Sequence, residues 1–79
     1  MRIDKFLKIA RIIKRRTIAK EFCDAGKVQL NDRIAKAGDN VKLGDTITIQ
    51  FGQRFVRFRV MDVRESASKE NAHLMVEEV

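Results

Sequence analysis

Thr46-Ile47-Thr48-Ile49-Gln50-Phe51-Gly52-Gln53-Arg54-Phe55-Val56-Arg57-Phe58-Arg59-Val60-Met61 is the stretch that decides the fold. Thr46 to Phe51 alternates strictly between polar and apolar residues, the two-residue period of a half-buried strand. Gly52-Gln53 then supplies a two-residue loop with Gly first, as a type II′ hairpin turn requires. Arg54 to Met61 returns as the partner strand. In this register Ile49 faces Val56 and Ile47 faces Phe58, which makes one apolar face. Thr48 faces Arg57 and Thr46 faces Arg59, which makes a polar one. The alternation and the turn chemistry predict the same pairing, so the hairpin 46–61 anchors an antiparallel sheet.

On the N-terminal side of the hairpin, Lys27-Val28-Gln29-Leu30 reads as a short strand and Asn31-Asp32 as a turn. Ile34 to Val41 carries small and polar residues around Gly38-Asp39-Asn40 and reads mostly as loop, and Leu43-Gly44-Asp45 is another turn. On the C-terminal side, residues 62–73 form a polar loop, Leu74-Met75-Val76 suggests a short final strand, and Glu77-Glu78 ends in acid.

The first quarter of the chain has a different period. Over residues 3–13, Ile3, Phe6, Leu7, Ala10 and Ile13 share one side of a helix, and Lys5, Lys8 and Arg11 form an i, i+3 ridge on the other. Ile12 falls among the polar residues and does not fit. Residues 16–25 read as a second helix, with Ile18, Ala19, Phe22 and Cys23 as its apolar stripe and Gly26 at the left-handed position that ends it. The pattern predicts a single domain over 1–79, with two N-terminal helices on a small antiparallel sheet.

Charge separates the two parts of the chain. The net charge is +6 and the isoelectric point about 10.0. Residues 1–20 hold eight Lys or Arg and one acid, a net of +7; residues 21–79 hold nine against ten, a net of −1. Focused basicity points to an anionic partner, nucleic acid first and a membrane surface second. Within it, Lys14-Arg15-Arg16-Thr17 stands at the start of the second helix, where the helix dipole disfavours cations. Three cations there make sense if a phosphate meets the free first-turn N–H groups and the guanidinium groups together. The alternative, that these residues continue the first helix and suit its C-terminal end, stays open, and one connection can serve both purposes.

Several function classes fall away. One histidine, His73, and one distant cysteine, Cys23, make no triad or dyad, and no set of Cys and His has the spacing of a metal site. Gly38, Gly44 and Gly52 form no phosphate-cradling fingerprint. Cys23 cannot pair within the chain, which suits a reducing cytoplasm, and its place on an apolar stripe predicts an inert thiol. No run of eighteen apolar residues exists, so no membrane span is expected. The sequence calls for no enzyme activity and no cofactor. A duplex-DNA reader is argued against by Glu21 and Asp24 on the second helix, and an interfacial membrane helix by the globular partner the hairpin offers.

Arg2-Ile3-Asp4-Lys5-Phe6-Leu7, Arg16 with Ala19, Gly26-Lys27-Val28, Leu30-Asn31, Lys36 and Gly44-Asp45-Thr46-Ile47 occur in that order. The ordered set resembles the alpha-L RNA-binding motif, the domain named after small-subunit ribosomal protein S-four, over about residues 1–50. The resemblance implies an α+β fold in which two helices pack on a small, strongly bent antiparallel sheet, leaving 62–79 as a polar, acidic tail. It also implies a grip on structured RNA by Arg2, Lys5 and Arg11 on the first helix, Arg15 and Arg16 at the second helix start, and Lys36 in the loop. Lys14 and Lys20, on either side of that start, complete the predicted RNA-binding set. Two departures stand out: Arg15 replaces a frequent capping Ser or Thr, and Asn31-Asp32 replaces an Asn-Gly turn, which puts the geometry of that turn in doubt. The chain is similar to short stand-alone members that act on bacterial ribosomes. That similarity implies binding as a monomer to large-subunit ribosomal RNA and tRNA, in quality control of stalled chains beside a factor that adds a C-terminal tail. A general rescue, assembly or heat-shock role is the alternative. Arg57 and Arg59 fit the wet side of a half-buried sheet, and only Phe55 among the five Phe points outward, so no aromatic stacking platform is expected.

Overall fold

The computed structural model describes all residues, Met1–Val79. Two helices, α1 (Ile3–Ile9) and α2 (Arg16–Asp24), pack on a five-stranded antiparallel sheet made of β1 (Val28–Leu30), β2 (Arg33–Ile34), β3 (Thr46–Phe51), β4 (Arg54–Val60) and β5 (Val76–Glu78). The strand order is β2-β1-β3-β4-β5, and a short helix α3 (Lys69–Ala72) precedes the last strand. The β3–β4 register is the expected one, with Ile49 opposite Val56, Ile47 opposite Phe58 and Thr46 opposite Arg59. Gly52 takes φ 63° at the first position of the turn, as type II′ geometry demands. Ile3, Phe6 and Leu7 of α1, Ala19 and Cys23 of α2, and Val28, Ile47, Ile49 and Val60 of the sheet meet in one buried cluster.

The Asn31-Asp32 turn keeps type I′ character without glycine. Both residues take positive φ, 52° and 67°. The Asn31 side chain fastens the turn to β3, accepting from the Thr46 N–H at 2.9 Å and donating to Asp45 at 3.0 Å. Asn and Asp tolerate the left-handed region better than other residues with a Cβ, so the departure from Asn-Gly changes residues and not geometry.

Other expectations need correction. The first helix ends at Ile9, not at residue 13. The Arg11 N–H donates to Lys8 O and the Ile12 N–H to Leu7 O, both at 3.1 Å, and Arg11 takes φ 59°. That pair of bonds is a Schellman stop with an arginine at the position where glycine is usual. It also explains the misfit of Ile12, which is out of helical phase because it has left the helix; it packs back on the core cluster. Ile18 does not belong to the buried stripe of α2: it is 38% exposed, while Ala19 and Cys23 carry the contact. Thr48, read as wet, is buried at the centre of the sheet between Gln29 and Arg57, and its hydroxyl has no partner.

The polar loop at 62–73 contains α3, capped by the Ser68 hydroxyl, which accepts from the Asn71 N–H at 3.2 Å. The final strand is shifted to Val76–Glu78, so Glu77 lies opposite Arg59 and the acidic end is part of the sheet.

Candidate nucleic-acid interface

The two helix starts are built differently. The first-turn amides of α1 meet a loop: the Ile3 N–H donates to Asp39 O at 2.8 Å and the Asp4 N–H to Ala37 O at 3.3 Å. That loop is itself closed by Asp39, whose carboxylate accepts from the Lys36 N–H at 2.9 Å. At α2 the N-cap residue is Arg15, which makes no side-chain cap. The N–H groups of Arg16, Thr17 and Ile18 find no acceptor in the protein. A nine-residue helix thus presents free donors and the positive end of its dipole, flanked by Lys14, Arg15 and Arg16.

Asp4 joins the two starts. It is only 2% exposed, and its carboxylate lies 3.2 Å from Arg2 Nη2 and 3.4 Å from Arg16 Nε. Its other oxygen accepts from the Lys5 N–H at 2.7 Å. One buried acid therefore holds two half-exposed guanidinium groups side by side, Arg2 from the start of α1 and Arg16 from the start of α2. The Arg2 guanidinium also lies beside Gly38, which brings the loop carrying Lys36 to the same end. Lys20, one turn along α2 from Arg16, is tied to Asp24 at 3.0 Å; that hydrogen bond and the carboxylate charge raise its pKa.

A groove of about 690 Å³ runs along the other side of Arg16. Lys5, Lys8, Arg11, Lys14 and Arg16 line it, facing Glu65, Ser66 and Ala67 of the C-terminal segment. Five cations here face one acid, and like charges at this spacing repel unless an anion lies between them. Lys5 already has a small anion: its Nζ lies 2.5 Å from the Glu65 carboxylate, and this hydrogen bond with the Lys5 charge holds Glu65 below the usual carboxylate range. The pair is exposed, so it is a weak, exchangeable contact.

Of the residues singled out from sequence, the groove thus gathers Lys5, Arg11, Lys14 and Arg16. Arg2 joins Arg16 through Asp4, and Lys36 stands in the loop beside Arg2. Arg15, the N-cap of α2, and Lys20, on the helix itself, lie outside the groove lining. Arg11 lines the groove from the turn after α1 rather than from the helix. Lys8 was visible on the cationic ridge but not counted among the contacts, and it lines the groove with the rest. The pairing of Asp4 with Arg16 and of Glu65 with Lys5 has no signature in sequence, because the partners are distant along the chain.

Cys23 is buried, and burial with the nearby Asp4 charge pushes its thiol up to about 11. No three His, Cys, Asp or Glu converge to hold a metal ion, and no helix is long and apolar enough to cross a membrane.

Residues 1–47 match the S4 domain family. Over 77 residues the chain is 49% identical to the RQC P-site tRNA stabilizing factor of Halalkalibacterium halodurans, covering 98% of this chain and 88% of that protein. It is also 49% identical over 72 residues to the protein of that name from Bacillus subtilis, covering 91% and 84%. Among solved structures, a trimeric structure of Vibrio cholerae heat shock protein 15 superposes with a TM-score of 0.92 at 28% identity, covering all of this chain and 81% of that one. With two helices carrying the cationic surface onto an antiparallel sheet, and with relatives alike over nearly their whole length, this chain belongs to the S4 domain family.

Proposed function

We propose that the protein binds structured RNA on the ribosome and steadies a tRNA in the P site during quality control of stalled nascent chains. One observation carries the RNA reading: Asp4 holds Arg2 and Arg16 together beside the uncapped start of α2, next to a groove lined by five cations. Free amides, a helix dipole and fixed guanidinium groups are the chemistry that grips a phosphate backbone. The tRNA and the ribosomal setting are supported by the two RQC P-site tRNA stabilizing factors that are 49% identical to this chain over 77 and 72 aligned residues.

The protein acts by binding alone, with no catalytic step. Arg2, Arg16 and the loop at Lys36 hold one strand of RNA; Lys5, Lys8, Arg11 and Lys14 follow the backbone along the groove. Large-subunit ribosomal RNA and the tRNA share this surface, and the factor that extends the stalled chain works beside it. The work is cytoplasmic, as the ribosome is. Shape selects the RNA, because the contacts are to backbone and not to base edges.

Sedimentation with separated ribosomal subunits, at low and moderate salt, tests this reading. The wild-type protein should pellet with the large subunit. Arg16→Ala should release it at moderate salt, and the slope of log affinity against log salt should fall by about 0.7–0.9 for the lost phosphate contact. Equal pelleting with every RNA, or no effect of Arg16→Ala, would reduce the surface to a generic basic patch.

A further inference from the structure

The core-facing side of the sheet is not fully covered. Because α1 stops at Ile9, no helix continues across the far end of the β3–β4 hairpin, and a second groove of about 510 Å³ opens there. Phe51, Val56, Phe58 and Val76 floor it and are only half-buried, although they stand on the same side of the sheet as the core residues Ile47, Ile49 and Val60. Phe51 is backed by Phe22 at a ring separation of 5.7 Å. An aromatic floor therefore lies open to solvent where the outward side chains of the hairpin give no reason to look for one.

This groove and the cationic one meet. Arg11 and Ile12, in the turn that ends α1, line both. Arg11 holds φ 59°, a left-handed backbone that glycine adopts at less cost. The strained turn puts a guanidinium at the junction. Arg54 and His73 stand at the rim with one acid, Glu78.

We propose that the second groove receives one unstacked base of the RNA strand whose phosphates lie in the cationic groove. The proposal rests on the RNA reading above and adds a base subsite to it. Every base has a π-face that packs on aromatic and aliphatic side chains, and single-stranded bulges and loops are where bases are free to do so. Arg11 sits where the phosphate next to an inserted base must pass, so the backbone need not leave its path. The rim favours a nucleotide: Arg11 and Arg54 stand there against the single acid Glu78, and a nucleotide brings them an anion.

The test uses the intact protein and three hairpin RNAs that differ at one site: an unpaired 2-aminopurine, an abasic residue, or no bulge. The wild-type protein should bind the 2-aminopurine RNA at least about fivefold tighter than the other two, the weak end of what one stacked base contributes. The 2-aminopurine emission should rise on binding, because the base leaves the stack of its nucleobase neighbours for side chains that do not quench it. Phe58→Leu removes a ring while keeping most of the volume, and Val56→Met fills the groove without adding a ring or emptying the core. Each should reduce the preference and the rise in emission several-fold while leaving binding of the unbulged hairpin unchanged. Arg16→Ala should weaken all three RNAs alike. If the wild-type protein binds all three equally and still depends on Arg16, the base subsite is wrong and the RNA reading stands. If Arg16→Ala has no effect, both fall. Self-association in equilibrium sedimentation that Phe58→Leu abolishes, with no change in emission on binding by the wild-type protein, would assign the groove to a second copy and overturn the proposal.

Discussion

The starts of α1 and α2 lie close together and solve the same problem in opposite ways. Both expose first-turn amides that a folded protein must satisfy. At α1 the carbonyls of Ala37 and Asp39 take them, and an acid, Asp4, sits in the first turn where the dipole favours it. At α2 no carbonyl arrives, no side chain caps, and the first turn holds no acid. The first arrangement completes the fold. The second leaves donors and cations without a partner in the protein, an arrangement that an incoming anion would complete. The contrast separates a helix end closed by the rest of the fold from one left open.

The largest break in this contrast should come from Asp4→Ala. It removes the carboxylate that serves both starts, so stability should fall by about 2 kcal/mol in urea unfolding, the scale of hydrogen bonds to a charged group. RNA affinity should fall about tenfold with it, because Arg2 and Arg16 lose their common anchor. A stability loss with unchanged affinity would mean that the guanidinium groups find their positions without Asp4.

Arg15→Ser makes α2 resemble α1. A serine at the N-cap accepts from a first-turn N–H, so stability should rise by about 1 kcal/mol. RNA binding should weaken several-fold, because a donor and a cation are both withdrawn from the anion. Calorimetry and filter binding on one preparation read the two opposed shifts. A rise in both would show that the free amides of α2 are not used by RNA.

Arg11→Gly probes the strained turn between the two starts. Relief of the left-handed backbone should add about 0.5–1 kcal/mol, while the loss of one phosphate contact should flatten the salt dependence by about 0.7–0.9. The smallest effect is expected for Glu65→Gln, which frees Lys5: a two- to threefold gain in RNA affinity, on the scale of an exposed ion pair. That gain should disappear in acid. Lys5 holds the Glu65 carboxyl below its ordinary range, so the pair contributes above that range and is lost as pH falls through the lowered value. Titrating the wild type into that acid range should therefore bring its affinity to that of the variant.

The hairpin was legible in sequence down to individual partners, because side-chain alternation and turn chemistry are local. The cationic start of α2 was legible for a related reason: three cations at a positive dipole end are anomalous without reference to anything else. The end of α1 was hidden because its stop uses Arg11 where glycine would announce it, and Ile12 out of phase was the only trace. Ile18 misled because a 100° step per residue cannot tell how wide the buried stripe of a short helix is. The burial of Asp4 depends on α2 and on the loop at 36–39 arriving from elsewhere in the chain, and no local pattern encodes that meeting. The half-open floor of Phe51 and Phe58 follows from where α1 stops, so the same missed stop hid the second groove.

The ends of the sheet carry a consequence for life at high local concentration. β2 at one edge has two residues and β5 at the other has three, and they bear Arg33 on one side and Glu77 and Glu78 on the other. An exposed edge is a template on which a neighbouring molecule can add a strand, and short, charged edges are the defence against it. Molecules crowded along an RNA surface therefore meet edges too brief to seed a shared sheet, and a chain whose central strands are as rich in β-branched and aromatic residues as β3 and β4 is kept from polymerising by its margins.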